Sequence, residues 1–272
     1  MLKVQVLRSG PTGGNISLVW NADTRLVIDC GVGPRILDKL LLKNGFTIAD
    51  ISGVLITHSH GDHMKPRTIE KLFDSKVPVY CSDGVKKAMR TKINQRTSLR
   101  IFPAKLFRIG SLKVKPFKVN HDSIGGCVGY CLFAKSGKLT KKITLATDFG
   151  NPGKRVKQHL HNSHGLLLTS DHDTKMLDRS YEVPEFVKAD HIIPYHLSND
   201  QCANLLVRAI QSSRIKPTFV YLLHISDKFN TVQKALAKSR QRLHKAGYNK
   251  IKVLPSYSYK PSRISQLGVR PD

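Results

Sequence analysis

The sequence predicts an α/β protein in which a mixed β-sheet is covered by helices. Short apolar runs separated by turn signals indicate strands, and the first of these runs are joined by hairpin-like turns. Later strands alternate with segments whose apolar residues recur with a helical period. Strands that first form hairpins and then alternate with helices are typical of a mixed sheet with helices packed on the outside.

The strands and helices can be placed along the chain. Strands are predicted at 2–7, 16–20, 25–29, 54–57, 112–117, 127–133, 142–147, 218–223 and 250–254. Helices are predicted from Pro34 to Lys43, after Ser198, from Asn230 to about Ala246, and at the start of the basic segment that follows residue 84. The first helix has Pro34 in its first turn, and Ser198 and Gln201 have the spacing of a capping box.

The sequence has no feature that would divide the chain into several domains. We find no internal repeat and no Gly- or Ser-rich linker, so one domain is predicted over residues 1–255. Residues 256–272 are basic and have no periodicity, which predicts a loose C-terminal tail.

Composition narrows the class of protein. The chain has 272 residues, of which 40% are hydrophobic, and this excludes a wholly disordered basic protein. No apolar run approaches the ~18 residues of a membrane span. The N-terminal segment also lacks the apolar core of a signal peptide, so a cytoplasmic location is expected. Five scattered cysteines without paired spacing predict reduced thiols.

The net charge is the strongest global property. The chain carries 45 Lys and Arg against 19 Asp and Glu, a formal net charge of +26. Such an excess favours a polyanionic partner. Because aromatic residues make up only 7% of the chain, we expect contacts mainly to phosphate, with little reading of base sequence.

A cluster of histidines follows the apolar run at 54–57. His58 and His60 are two residues apart in extended chain, so both imidazoles can face one metal ion. Gly61 permits a turn, after which Asp62 and His63 can face a second ion. Imidazole nitrogen and carboxylate oxygen are ligands for Zn²⁺, Mn²⁺ and Fe. A polar turn that merely collects histidines is the alternative.

This segment resembles the H-x-H-x-D-H signature of the metallo-β-lactamase superfamily. Further residues of the family pattern occur in order at the ends of predicted strands: Asp29, His121, Asp148 and His224. The resemblance implies an αββα sandwich, with two mixed sheets and outer helices.

The resemblance also implies a metal site with two divalent ions, Zn²⁺ or Mn²⁺, with Fe as a further candidate. The ligands implied for the first ion are His58, His60 and His121. Those implied for the second are Asp62, His63 and His224, with Asp148 shared between the ions. Asp29 is expected to support the site from behind. Two such ions can supply a nucleophile at neutral pH and neutralise charge on the group under attack.

Within the superfamily, four blocks resemble the WalJ (YycJ) type of DNA exonuclease. They lie at 9–15, 170–177, 196–199 and 224–231. By this resemblance the catalytic residues are Asp62, Asp148 and His196, and His196 would protonate the leaving oxygen or bind the phosphate. Tyr195 precedes His196 where the family usually has Gly, which leaves the local backbone geometry open.

Two assignments in these blocks keep an alternative. His196 can also be a histidine that packs at the entry of a helix. His172 and Asp173 can lie near the pocket, with His172 as a candidate substrate-binding residue, or Asp171, His172 and Asp173 can form a loop whose carboxylates start a helix.

Candidate substrate-binding cations lie in two places. Lys154, Arg155 and Lys157 follow Asp148 closely, so we expect them at the rim of the site. A second basic run includes Arg90 and Arg96. A solvated surface is the alternative for either group.

The sequence therefore predicts a dinuclear metal-dependent phosphodiester hydrolase that acts on nucleic acid, DNA in preference to RNA, as a nuclease with exonuclease character. The alternatives are a small-molecule phosphodiesterase or a thioesterase-type hydrolase of the same fold, and a non-catalytic basic nucleic-acid-binding protein with structural metals. A lactamase is disfavoured, because Asp148 supplies oxygen where many lactamases use a cysteine thiolate.

Overall fold

A computed structural model describes residues 1–94, 98–137 and 139–268. In this part of the chain, two mixed seven-stranded sheets pack face to face and helices cover both outer surfaces. The predicted αββα sandwich is confirmed.

The first sheet is formed mainly by the N-terminal part of the chain. Its strands, in spatial order, are β14 (Ser265–Leu267), β1 (Leu2–Arg8), β2 (Ile16–Trp20), β3 (Arg25–Ile28), β4 (Gly53–Leu55), β5 (Val79–Cys81) and β6 (Leu99–Ile101). The first strands are antiparallel, whereas β3 to β6 are parallel. The carboxyl ends of β3 and β4 therefore meet at one edge of the sheet.

The second sheet has the same arrangement. Its strands, in spatial order, are β13 (Lys252–Pro255), β12 (Phe219–Leu223), β11 (Gly165–Thr169), β10 (Leu139–Ala146), β9 (Cys127–Ser136), β8 (Leu112–Val119) and β7 (Phe107–Ile109). Strands β10 to β13 are parallel, so the carboxyl ends of β10, β11 and β12 also lie together.

The helices lie outside the two sheets. They are α1 (Pro34–Leu42), α2 (Pro66–Asp74), α3 (Asp83–Ala88), α4 (Lys154–Leu160), α5 (Thr174–Asp178), α6 (Glu185–Val187), α7 (Asn199–Gln211) and α8 (Val232–Lys245). A 3₁₀ turn spans Ile48–Asp50, and a π-helical turn at Lys188–Ile192 continues α6. The predicted capping box of Ser198 and Gln201 starts α7.

The hydrophobic core has three layers. The central layer lies between the sheets and includes Val4 and Leu55 from the first and Tyr130 and Leu167 from the second. The outer layers lie between each sheet and its helices. Apolar burial on both faces explains why the central strands are continuous apolar runs rather than alternating ones.

The expectation of a loose tail from residue 256 is wrong for the described residues of that segment. Strand β14 pairs antiparallel with β1, where Leu2 lies opposite Leu267. The amide of Ser262 donates to Val6 O, and Gln5 Nε2 donates to Ser262 O. β1 would otherwise be an edge strand with unpaired backbone groups, and the segment covers that edge. A strand this short leaves no period to detect in the sequence.

None of the helices in the described ranges combines the length and the apolar character that a membrane crossing needs.

The inter-sheet core gives a testable prediction. The buried hydroxyl of Tyr130 donates to the carbonyl of Ile56, two residues before His58. Tyr130→Phe leaves that buried carbonyl without a partner, so the free energy of unfolding should fall by about 1–2 kcal/mol. Urea denaturation measures the change. Tyr181→Phe, at a fully exposed tyrosine, is the control and should leave stability unaltered; equal stability of both variants would contradict the role of this hydrogen bond.

Candidate metal centre

Polar side chains from five strand ends converge at one edge of the sandwich. Asp29 directly follows β3, and His58 follows β4 after two residues. The second sheet contributes Asp148 after β10, Asp171 after β11 and His224 after β12. Because the carboxyl ends of parallel strands meet, residues far apart in sequence lie side by side there.

Three of these strand-end residues have a left-handed backbone. The φ angles of Asp29, Asp148 and His224 are 61°, 53° and 52°. This conformation is uncommon for residues other than glycine and costs of order 1–3 kcal/mol each. The chain therefore turns sharply at the end of each of these strands, and the turn accompanies the placement of the side chains in the centre.

The first group of candidate ligands contains only histidines: His58, His60 and His121. His121 Nε2 lies 3.2 Å from His60 Nδ1, and the buried His58 Nε2 has no hydrogen-bond partner among the described residues. Burial lowers the pKa of His58 well below its usual value and lowers that of His121 to about 4. Both rings are thus neutral near pH 7, which is the form that binds a metal ion.

The second group contains two carboxylates, Asp62 and Asp148, and two imidazoles, His63 and His224. His63 Nε2 lies 3.3 Å from Asp62 Oδ2 and 3.1 Å from Asp148 Oδ2. His224 Nε2 lies 3.4 Å from Asp62 Oδ2 and 3.3 Å from Asp148 Oδ1. Ligand atoms in a tetrahedron around Zn²⁺, at about 2.0–2.2 Å from the ion, are about 3.3–3.6 Å apart. The spacing of these side chains therefore fits a metal ion.

The charges of the second group are mutually stabilising. Burial acts to raise the pKa of Asp148, but the imidazoles of His224 and His63 outweigh burial and hold this pKa well below its usual value. Burial acts to lower the pKa of both imidazoles, and the surrounding carboxylates outweigh it and raise their pKa well above the usual value. Asp148 is therefore ionised at neutral pH, as a carboxylate ligand must be.

A carboxylate lies behind each histidine of the second group. Asp29 Oδ2 is 2.8 Å from His63 Nδ1, and Asp171 Oδ2 is 2.9 Å from His224 Nδ1. Both contacts are to Nδ1, so each ring directs Nε2 towards the centre. Carboxylates in this position fix the orientation and tautomer of a histidine ligand. Asp29 thus lies directly behind the candidate ligand His63.

Sequence reasoning missed the role of Asp171, although a signal was present. Asp171 follows the buried run Leu166–Thr169 of β11, as Asp29 and Asp148 follow their own strands. Its main-chain carbonyl accepts a hydrogen bond from Asn230 Nδ2, which helps to fix the carboxylate behind His224.

Asn15 was also missed as a residue of the centre. Asn15 Nδ2 lies 3.0 Å from Asp62 Oδ2, and its Oδ1 accepts from Ser9 Oγ. Ser9 Oγ in turn accepts from the His224 amide. The backbone of Gly31 lies close to that of Asp62, and a side chain does not fit there, because a Cβ at position 31 would lie 1.6 Å from Asp62 O.

His196 lies beside the second group without joining it by a hydrogen bond. His196 Nδ1 is 3.6 Å from Asp148 Oδ1 and 3.7 Å from Asp171 Oδ2. The ring is partly exposed and lines a cavity of about 350 Å³, which is also lined by six of the seven candidate ligands, all except His63. Burial lowers the pKa of this imidazole. Tyr195, where the family usually has Gly, does not have a positive φ, so no glycine is required at this position.

The other predicted substrate-binding residues lie farther out or deeper. His172 is 3% exposed and does not line the cavity, so contact with a substrate is contradicted at this position. Asp173 caps α5 by accepting from the Met176 amide, as the alternative predicted.

The predicted cations are outside the cavity. Lys154, Arg155 and Lys157 are exposed on α4, and Arg90 is exposed just after α3. Arg96 falls outside the described residues. The cavity also has unpredicted lining residues, Pro11, Asp122 and His191, at its rim.

The chain is similar in sequence to known proteins. The exodeoxyribonuclease YycJ of Bacillus anthracis is 27% identical over 254 residues, which cover 91% of each chain. The exodeoxyribonuclease WalJ of Streptococcus pneumoniae is 24% identical over 237 residues, covering 84% of this chain and 83% of that protein.

Solved structures share the fold at low sequence identity. YhfI of Bacillus subtilis, a metallo-β-lactamase fold protein, has a TM-score of 0.70 at 14% identity and covers 97% of this chain and 99% of its own. Yeast PDE1 has a TM-score of 0.69 at 14% identity and covers 96% of this chain and 99% of its own. The family described as the beta-lactamase superfamily domain matches residues 24–225. With this match, the two mixed sheets and the His/Asp clusters at their edge, the chain belongs to the metallo-β-lactamase superfamily.

Proposed function

We propose that this protein is a dinuclear metal-dependent phosphodiester hydrolase that degrades nucleic acid, as a DNA nuclease with exonuclease character. The observation that carries the proposal is the convergence of seven His and Asp side chains, in which Asp148 lies within 4.8 Å of His58 in the first group and of His63 and His224 in the second. The relatives named exodeoxyribonucleases support DNA, since they match nearly the whole chain. A ribonuclease Z of Methanopyrus kandleri matches only 38% of it.

The ligands we assign follow the two groups of the centre. The first ion would be held by His58, His60 and His121, the second by Asp62, His63 and His224, and Asp148 would contact both. The donor set of imidazoles and carboxylates suits Zn²⁺ or Mn²⁺, and Fe as well. Two such ions would supply a nucleophile at neutral pH and neutralise the charge of the phosphate under attack.

The protein side chains then have distinct tasks. Asp29 and Asp171 orient the two imidazoles of the second group. His196 lines the cavity beside Asp148, so we assign its ring the role of donating a proton to the leaving oxygen or holding a phosphate oxygen. The net charge of +26 supports a polymeric phosphodiester over a lactam or a thioester.

The nuclease proposal predicts metal-dependent cleavage of DNA from an end. Purified protein with Mn²⁺ or Zn²⁺ should shorten end-labelled DNA, and Asp62→Ala should lower the rate at least about 100-fold, since even residues behind a ligand are worth 10- to 100-fold. Asp23→Ala, at an exposed carboxylate in the turn after β2, is the matched control and should cleave as the wild type does.

Three outcomes would contradict this function. Absence of cleavage of both DNA and RNA by metal-loaded protein excludes a nuclease. Hydrolysis of bis(p-nitrophenyl) phosphate that DNA fails to inhibit indicates a small-molecule phosphodiesterase. DNA binding without any hydrolysis indicates a non-catalytic binding protein.

The orientation of His224 gives a second prediction. Asp171→Asn keeps the side-chain shape but removes the negative charge behind His224 Nδ1, so affinity for a divalent ion should fall about 10- to 100-fold. Titration of the metal-free protein with Zn²⁺ against a chelator measures this. Asp173→Asn, two residues away and without contact to His224, should keep wild-type affinity. Equal affinities for the two variants would show that Asp171 does not support a ligand.

A further inference from the structure

The positive charge is concentrated in one part of the chain. Residues 84–170 contain 18 Lys and Arg but only two carboxylates, Asp122 and Asp148. Asp148 is buried in the candidate metal centre, so it neutralises none of the surface charge. The segment therefore carries a net charge of +16, from 18 basic and two acidic residues.

The basic residues near α3 are engaged by the protein itself. Lys87 Nζ forms an ion pair with Asp83 at 2.7 Å, and Lys86 Nζ donates to Leu99 O at 2.7 Å. These cations have protein partners that a ligand would have to displace.

A second group of cations lies where α4 packs on β8. We define the α4–β8 face by its basic residues: Lys115, Lys154, Arg155 and Lys157. The rings of Phe117 and His159 stack at 4.4 Å and join the helix to the strand. Lys142 Nζ donates to the carbonyls of His159 and His161 at the end of α4. The face is thus held rigidly by packing and by hydrogen bonds.

The exposed cations of this face have no carboxylate partner. Within the described ranges, neither Lys115 nor the three cations of α4 forms a salt bridge, and Lys115 and Arg155 are both exposed. Burial lowers the pKa of His159, its hydrogen bond to the Arg155 carbonyl acts to raise this pKa, and the nearby Lys115 and Arg155 act to lower it. Unpaired cations held together cost stability, and a bound polyanion relieves that repulsion.

The face begins at the candidate metal centre. Strand β8 ends at Val119, two residues before His121, and α4 begins at Lys154, six residues after Asp148. Phe117 and Val119 share a core with Val156, so the two elements run together away from the centre. A polymer bound at the centre can continue along this face.

We propose that the α4–β8 face binds the phosphates of a single DNA strand that extends from the metal centre. This rests on the proposed nuclease function and adds the path of the substrate. Contacts to phosphates by lysine and arginine carry no sequence information, so the face would hold any sequence. Each contact adds to the salt dependence of binding, with a slope of about −0.7 per phosphate for a single strand.

The test compares two variants of equal net charge. Lys115→Gln/Arg155→Gln/Lys157→Gln changes the face. Lys3→Gln/Lys252→Gln/Arg263→Gln changes three cations around a cavity at the opposite end of the sandwich. This cavity lies at the start of β12, whose other end leads to His224, about 17 Å away for a five-residue strand. Binding of a hydrolysis-resistant phosphorothioate single strand is measured between 0.05 and 0.5 M salt.

For the face variant, the slope of log K against the logarithm of the salt concentration should be smaller in magnitude by about 2. This variant should also bind the strand about 10- to 100-fold more weakly than the wild type at 0.1 M salt, whereas the control variant should bind as the wild type does. Both should hydrolyse bis(p-nitrophenyl) phosphate at the wild-type rate. If the face variant does not fold, Arg155→Glu against Lys3→Glu makes the same comparison.

Two failures can be told apart. If the wild type degrades DNA and the two variants have the same affinity and slope, the path is wrong and the nuclease function stands. If the metal-loaded wild type hydrolyses the small phosphodiester but neither binds nor cleaves DNA, the nuclease function itself is wrong, and the path with it.

Discussion

The site depends on the burial of the Asp148 carboxylate. Its side chain is 1% exposed, and Oδ1 accepts no hydrogen bond from the described residues. Removing an ionised carboxylate from water costs several kcal/mol unless opposite charge compensates it. Compensation comes from both sheets: His63 lies beyond β4 of the first sheet, and His224 directly follows β12 of the second. The Asp148 carboxylate is therefore stabilised only where the edges of the two sheets lie side by side, as they do in this sandwich.

Much of the fold and the convergence of the candidate ligands could be predicted, because polar residues interrupt apolar runs at the strand ends. His58, Asp148 and His224 each follow a recognisable strand, and the family pattern places them in order. Asp171 escaped because β11 was not recognised as a strand and its partner His224 is 53 residues away. The burial of His172 could not be read from the sequence either, since it depends on the bridge between His172 and Ser198.

The fold shows where on the molecule the excess positive charge lies. In the sequence, the net charge indicates only a polyanionic partner. In the structure, cations that the protein itself engages, such as Lys87, are distinguished from cations such as Arg155 that have no carboxylate partner among the described residues. Which cations are engaged depends on contacts between elements, as when Phe117 stacks on His159 and brings α4 against β8. Periodicity and composition do not determine such contacts.

Anomalous diffraction from crystals of the metal-loaded protein, recorded on both sides of the zinc and manganese absorption edges, tests the central claim most directly. The account predicts two anomalous peaks per chain, one bounded by His58, His60 and His121 and the other by Asp62, His63 and His224, with Asp148 touching both. No peak in the centre, or a single peak at full loading, would contradict a two-metal hydrolase.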